Sequence, residues 1–317
     1  MCAPAPGVRE VRPPMTREML RPLEPQCELV QFNSLPSERD LLRLADLMRD
    51  RPDVALRAYG GYDGTIANLE FLRFFPELTR FHADQLRYRP FEDIDGLRYL
   101  PDDVVDLSVG QTQRRLSLAP LSRFQLLRRL YVEGPKKDIE VISGLAMLEN
   151  LTLRSITLPD LSILIPLRKL RSLDIKLGGT RDLGLLPQLD RLAYLELWMI
   201  RGLEDISPVG ELTNLQYLFL QDLPRVDRLP DMSRMTSLRR IDIEGLKSLT
   251  DLSPLLTAPS LEELFLVKSA HLSPEHLECL AGHPTLKAAA LGLGSKRKND
   301  AAEKLLPLPR PGRFELN

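Results

Sequence analysis

Three of the four histidines in this 317-residue chain, His271, His276 and His283, fall in one short stretch with Cys279 among them. On a helix His276, Cys279 and His283 share a face, and imidazole with thiolate is a donor set for a first-row metal. The same spacing has a simpler use. Leu277 and Leu280 mark the buried ridge of that stretch, Cys279 serves as a small half-buried apolar residue, and no second cysteine pair completes the motif, so no metal is expected. Lys296-Arg297-Lys298 could touch an acidic partner or act as a localisation patch, but a run this short reads first as solvated tail. There is no glycine-rich phosphate loop, no Cys-x-x-Cys pair and no nucleophile elbow. The aspartates fall at turns, where a carboxylate caps local backbone, and without a pocket and an orienting partner they do not make an acid–base site. The residues therefore point away from an enzyme and from any cofactor.

A second set of residues depends on a repeat. LAYLEL (192–197) returns 23 positions later as LQYLFL (215–220), and the pattern Leu-x-x-Leu-x-Leu starts at Leu78, Val104, Leu127, Leu148, Leu170, Leu192, Leu215, Leu238, Leu261 and Leu286, at intervals of 21 to 26 residues. A fixed period of this size predicts a solenoid. Within each hexad, positions four and six alternate with polar neighbours, as in a strand with one buried face. Counting back from each start in threes finds a second apolar ridge, for example Ile206, Val209, Leu212 and Leu161, Leu164, Leu167, which suits short 3₁₀ pieces on an outer wall. One repeat cannot bury both ridges, so neighbours must stack, with the strands forming a parallel ladder.

Asp205-Ile206-Ser207-Pro208 and Asp251-Leu252-Ser253-Pro254, with weaker copies at Asp160-Leu161-Ser162 and Asp182-Leu183-Gly184, make the chain resemble the leucine-rich repeat family and its short internalin-like class. The resemblance covers roughly residues 78 to 294. It implies an α/β fold: a leucine-rich repeat solenoid with a curved parallel β ladder on the concave face and short helical or 3₁₀ segments on the convex face. It also implies a non-enzymatic protein-binding scaffold. One feature of the family is absent. Where it places Asn or Cys to bond the turning backbone, this chain has Leu86, Thr112, Pro135, Ile156, Gly178, Ile200, Leu223, Leu246, Ser269 and Gly294.

With the buried positions removed, hexad positions three, five and seven form columns on the open side of the ladder. Tyr194, Trp198, Tyr217 and Phe219 fall on two neighbouring strands and Phe265 two repeats on, with Asp174, Glu196, Asp242 and Glu244 around them and Arg128, Arg129, Arg154, Arg171 and Lys176 in the preceding repeats. Aromatic anchors inside a charged rim have the composition of a binding hot spot. The competing use of the same rings is cross-strand packing that stabilises the sheet. The expected partner-binding residues are Tyr194, Glu196, Trp198, Tyr217, Phe219, Asp242 and Phe265. The expected partner is a protein or peptide held on the concave face.

The rest of the chain is expected to serve the ladder. Residues 1–26 hold six prolines and read as a mobile or extended lead-in, and 27–77 as an N-terminal cap plus an atypical first repeat, with a strand at 29–32, a helix opening at Ser37 and a strand at 54–59. Residues 78–294 are the repeat array and 295–317 a C-terminal tail, with a helix from Ser273 closed by Gly282 and a short one near 301–306. A formal net charge of −1 gives nucleic acid or an anionic membrane no global attraction. Cys2, Cys27 and Cys279 are too few and scattered for a disulfide framework, and no stretch reads as a signal or a membrane span. These features predict a cytoplasmic monomer, with export as an effector by a non-classical route the other possibility for its location. An alternative assignment is an enzyme-associated regulatory module, or an enzyme with a site where the cap meets the array.

Overall fold

The computed structural model describes residues 7–59, 65–84, 93–110, 115–134 and 136–316. Cys2, Leu86, Thr112 and Pro135 lie outside them. The chain divides into two compact units, residues 1–148 and 149–317.

In the first unit the strands are β1 (Val8–Glu10), β2 (Leu29–Phe32), β3 (Ala55–Tyr59), β4 (Arg80–Asp84), β5 (Asp106–Val109) and β6 (Arg129–Glu133). Each pairs in parallel with the next in sequence. Helix α1 (Glu38–Met48) connects β2 to β3, capped by the Ser37 hydroxyl on the Asp40 amide, and buries Leu41, Leu44 and Met48. The later connections are 3₁₀ segments such as Glu70–Phe74 and Ala119–Arg123. Within the proline-rich 1–26 stretch, β1 is a paired strand and Val11 is fully buried. A strand-edge amide that finds a carbonyl outweighs what composition suggests.

The second unit contains β7 (Asn150–Arg154), β8 (Ser172–Lys176), β9 (Tyr194–Trp198), β10 (Tyr217–Gln221), β11 (Arg240–Glu244), β12 (Glu263–Val267) and β13 (Ala288–Leu291). They too are parallel and ordered as in the sequence, with equivalent hexad positions in register: Leu218 lies beside Leu195 and Ile241, and Leu220 beside Leu197 and Ile243. All six of these side chains are at most 1% exposed. The second ridge is equally dry, with Ile206, Val209 and Leu212 at 2%, 0% and 3%. At about 25 cal/mol per Å² of apolar surface, this shared interior is the main source of stability. The connecting segments begin as the aspartate motifs predict: Asp160, Asp205 and Asp251 each accept a hydrogen bond from the amide two residues on, at 2.8 Å. Hydrogen bonds from the same serine, led by its hydroxyl at Asp160 and Asp251 and by its amide at Asp205, lower the pKa of each carboxyl group.

The missing asparagine ladder has a structural substitute. At the residue after the hexad's seventh position, Ser155, Leu177, Met199, Asp222, Gly245 and Lys268 all take positive φ, between 48° and 69°. In five of the six the amide donates to the next repeat at 2.7–3.2 Å: Ser155 to Lys176, Leu177 to Trp198, Met199 to Gln221, Asp222 to Glu244, and Gly245 to Val267. Main-chain bonding thus continues one residue past each strand and does what a side-chain amide would have done. Ile156, Ile200, Leu223 and Leu246 then fill the next position with buried apolar groups. Gly178 is required there, because a Cβ would stand 2.0 Å from the Ile156 carbonyl oxygen.

Two expected helices differ in kind or extent. The segment from Ser273 is 3₁₀ over Pro274–Leu280, where Leu277 and Leu280 step by three onto the core as the other repeats do. Helix α2 runs over Lys296–Leu305, earlier than expected, because the Ser295 hydroxyl caps the Lys298 amide. Lys296-Arg297-Lys298 is therefore the first turn of a helix. Lys298 ties it to the last repeat by donating to the carbonyls of Ala270 and Leu272, both at 2.8 Å.

Candidate functional site

The alternation that buries Leu195 and Leu197 sends Tyr194, Glu196 and Trp198 to the other side of β9, and the register sets Tyr217 beside Tyr194, Phe219 beside Glu196, and Phe265 beside Asp242. The aromatic residues do share one strand face. They are half-buried rather than freely exposed. Tyr194 and Tyr217 pack edge to face with centroids 5.0 Å apart, and the Arg154 guanidinium lies 5.4 Å from the Trp198 ring. The Trp198 indole N–H is enclosed without an acceptor among the described residues.

The acidic residues do not form a free rim. Glu196 and Asp242 are buried, 7% and 9% exposed. The Tyr194 hydroxyl donates to Glu196 at 3.0 Å, and Lys176 pairs with the same carboxylate at 2.7 Å. Tyr217 donates to Asp242 at 2.7 Å, and Arg240 bonds both oxygens of Asp242 at 2.9 and 3.2 Å. Burial drives the Glu196 carboxyl and both tyrosine hydroxyls above their ordinary pKa values. The charges beside the rings are thus largely spent inside the protein. Column reading could not show this, because a carboxylate near a tyrosine, two residues away on the same strand or on the next strand, looks the same whether it faces water or the ring's hydroxyl.

The residue left out of the expected set is Arg240. Only 8% exposed, its guanidinium lies 4.1 Å from the Phe265 ring centroid and 4.9 Å from that of Tyr217, while bonding Asp242 and Glu263. Its signal in the sequence was an arginine flanked in register by Tyr217 and Glu263.

The chain itself occupies part of this face. Phe314 packs on Tyr217 with centroids 5.1 Å apart, beneath the Arg239 guanidinium at 4.8 Å. Arg240 donates to the Gly312 carbonyl at 3.1 Å and Arg239 to that of Glu315 at 2.9 Å.

The histidines do not converge. His271 and His283 contact the carbonyls of Leu249 and Leu255 through Nε2, at 2.8 and 3.1 Å, and His276 contacts Ser273. Cys279 turns its thiol to the His276 carbonyl. No group of three or more metal-ligating side chains forms among the described residues. Where the cap adjoins the first repeats there is a partly open pocket of about 60 Å³, lined by Ala45, Met48, Phe74, Phe75 and Leu78 among others, which is room for a few waters. No helix among the described residues is long and apolar enough to cross a membrane.

The parallel ladder, the buried hexads and the 3₁₀ connections define the leucine-rich repeat fold. Comparison with solved structures agrees. An internalin (inlF) from Listeria monocytogenes is 21% identical, with a TM-score of 0.57 over 87% of this chain and 76% of that one. The protein of a TLR13–ssRNA13 complex is 15% identical, with a TM-score of 0.56 over 90% of this chain and 49% of that one. No family model and no curated protein matches the sequence.

Proposed function

We propose that the chain is a non-enzymatic binding scaffold that holds a protein or peptide on the strand face of its second unit, centred on Tyr194, Trp198, Tyr217, Phe219 and Phe265, with Glu196 and Asp242 orienting the two tyrosines. The observation that carries this reading is the register. Five aromatic residues are brought to one side of a ladder whose other side is fully buried, so the rings stand on a backbone that cannot collapse around them. Large rings on a rigid face, with the two tyrosine hydroxyls already bonded to Glu196 and Asp242, give a partner apolar area at low entropic cost. The internalin likeness is consistent with a binding role and carries the fold alone.

The double variant Trp198→Ala/Tyr217→Ala tests the proposal against a partner captured with the wild-type chain. Each substitution should cost on the order of 2 kcal/mol of binding while circular dichroism stays unchanged. Unchanged affinity would remove this face from consideration. A purely structural use of the rings is favoured by two observations, the edge-to-face packing of Tyr194 on Tyr217 and the covering of Tyr217 by Phe314 from the chain's own C-terminal segment. That use predicts instead a loss of thermal stability with no loss of partner.

A further inference from the structure

Beyond α2 the chain reads Pro-Leu-Pro-Arg-Pro-Gly-Arg-Phe-Glu-Leu over 307–316. Three prolines deny it the amides of a strand and hold it extended. Its Pro309 carbonyl accepts from the Ala289 amide of β13 at 2.9 Å. From there it reaches the aromatic face, where it makes the Gly312, Phe314 and Glu315 contacts described above. These contacts use two main-chain carbonyls and one ring, so what is recognised is an extended backbone with an aromatic side chain at a fixed place. The hold is open to exchange: Gly312, Arg313, Glu315 and Leu316 are exposed.

We propose that 307–316 is a built-in competitor for the binding face, and that the partner it mimics is an extended peptide with an aromatic side chain. In that peptide one carbonyl, two residues before the aromatic residue, meets Arg240, and a second, one residue after it, meets Arg239. This rests on the reading of the strand face as a binding surface. Tethered after a helix that docks on the last repeat, the segment acts at a high effective concentration, so a free peptide of the same chemistry meets a site already filled.

The probe is a labelled synthetic peptide carrying residues 306–316, titrated into the full-length chain and followed by fluorescence anisotropy. Phe314→Ala in the protein should tighten binding about tenfold over wild type by emptying the ring's place. Phe314→Leu, which keeps most of the bulk should alanine disturb folding, should give a smaller gain in the same direction. Adding Tyr217→Ala to Phe314→Ala should erase the gain, and a peptide with alanine for its phenylalanine should not bind. Equal binding by wild type and Phe314→Ala, or no binding by either, would overturn the inference. That result is distinct from failure of the binding-face reading, which is decided by Trp198→Ala/Tyr217→Ala against the captured partner.

Discussion

Two strand faces built from the same hexad columns solve the same problem differently. Around β5 the outward residues are mainly ionic: Asp106 accepts from or pairs with His82 at 3.1 Å, Arg129 at 3.6 Å and Arg80 at 3.8 Å, while on β6 Tyr131 donates to the buried Glu133 at 3.0 Å. On β9–β12 the outward residues are rings, with carboxylates tucked among them and Arg240 stacked between Tyr217 and Phe265. The contrast shows in the acids. Burial works to raise the Asp106 carboxyl, yet the His82 hydrogen bond and the neighbouring arginines hold it below its ordinary 3.8. Burial wins at Glu196, which is raised above its ordinary 4.5 despite Lys176 and Tyr194. A face that settles its charges in mutual pairs leaves little apolar area, whereas one that sinks them among rings keeps that area on its outer side.

The strongest challenge to this contrast is to the interior beneath the rings. Leu218→Ala should cost about 2–5 kcal/mol, measured by denaturant unfolding, because it empties a wholly buried site between two strands. A loss under about 1 kcal/mol would mean that the ladder does not rest on this ridge. Next in size is a matched pair of arginines. Arg240→Met leaves the buried Asp242, among the described residues, with only the Tyr217 hydroxyl and should cost about 2–4 kcal/mol. Arg129→Met, from an exposed arginine on the ionic face, should cost at most about 1 kcal/mol. Equal costs would erase the distinction between the faces.

The smallest effects are in pH. Since Asp106 is depressed in the folded chain, its contribution is present above the ordinary aspartate value and is lost as pH falls through the folded one. Asp106→Asn should therefore reduce the acid sensitivity of the melting temperature. Glu196, being raised, contributes fully below pH 4.5, and that contribution is lost as pH rises through its folded value. Glu196→Gln should remove that part of the decline between acid and neutral pH. Shifts of the same sign for both variants would contradict the contrast.

Much of this was legible in the residues, and the misses have specific causes. Leu195, Leu197, Leu218 and Leu220 could be assigned to the interior because a two-residue alternation repeated every 22 or 23 positions has few other solutions. The turn capping by Asp205 and Asp251 was local and equally readable. Phe314 was not, because its contact with Tyr217 joins residues far apart in sequence and leaves no periodic trace. Nor was the burial of Asp242, which depends on an arginine two positions earlier folding back over it.

By itself the sequence determined the repeat, the direction of each hexad side chain and the column in which each ring would stand, because these follow from strand geometry and a fixed period. Only the tertiary structure decided which of those outward groups were already engaged. That outcome depends on how near a guanidinium, a hydroxyl or a distant phenylalanine comes in space, and such distances are set by stacking between repeats and by where a proline-rich segment settles.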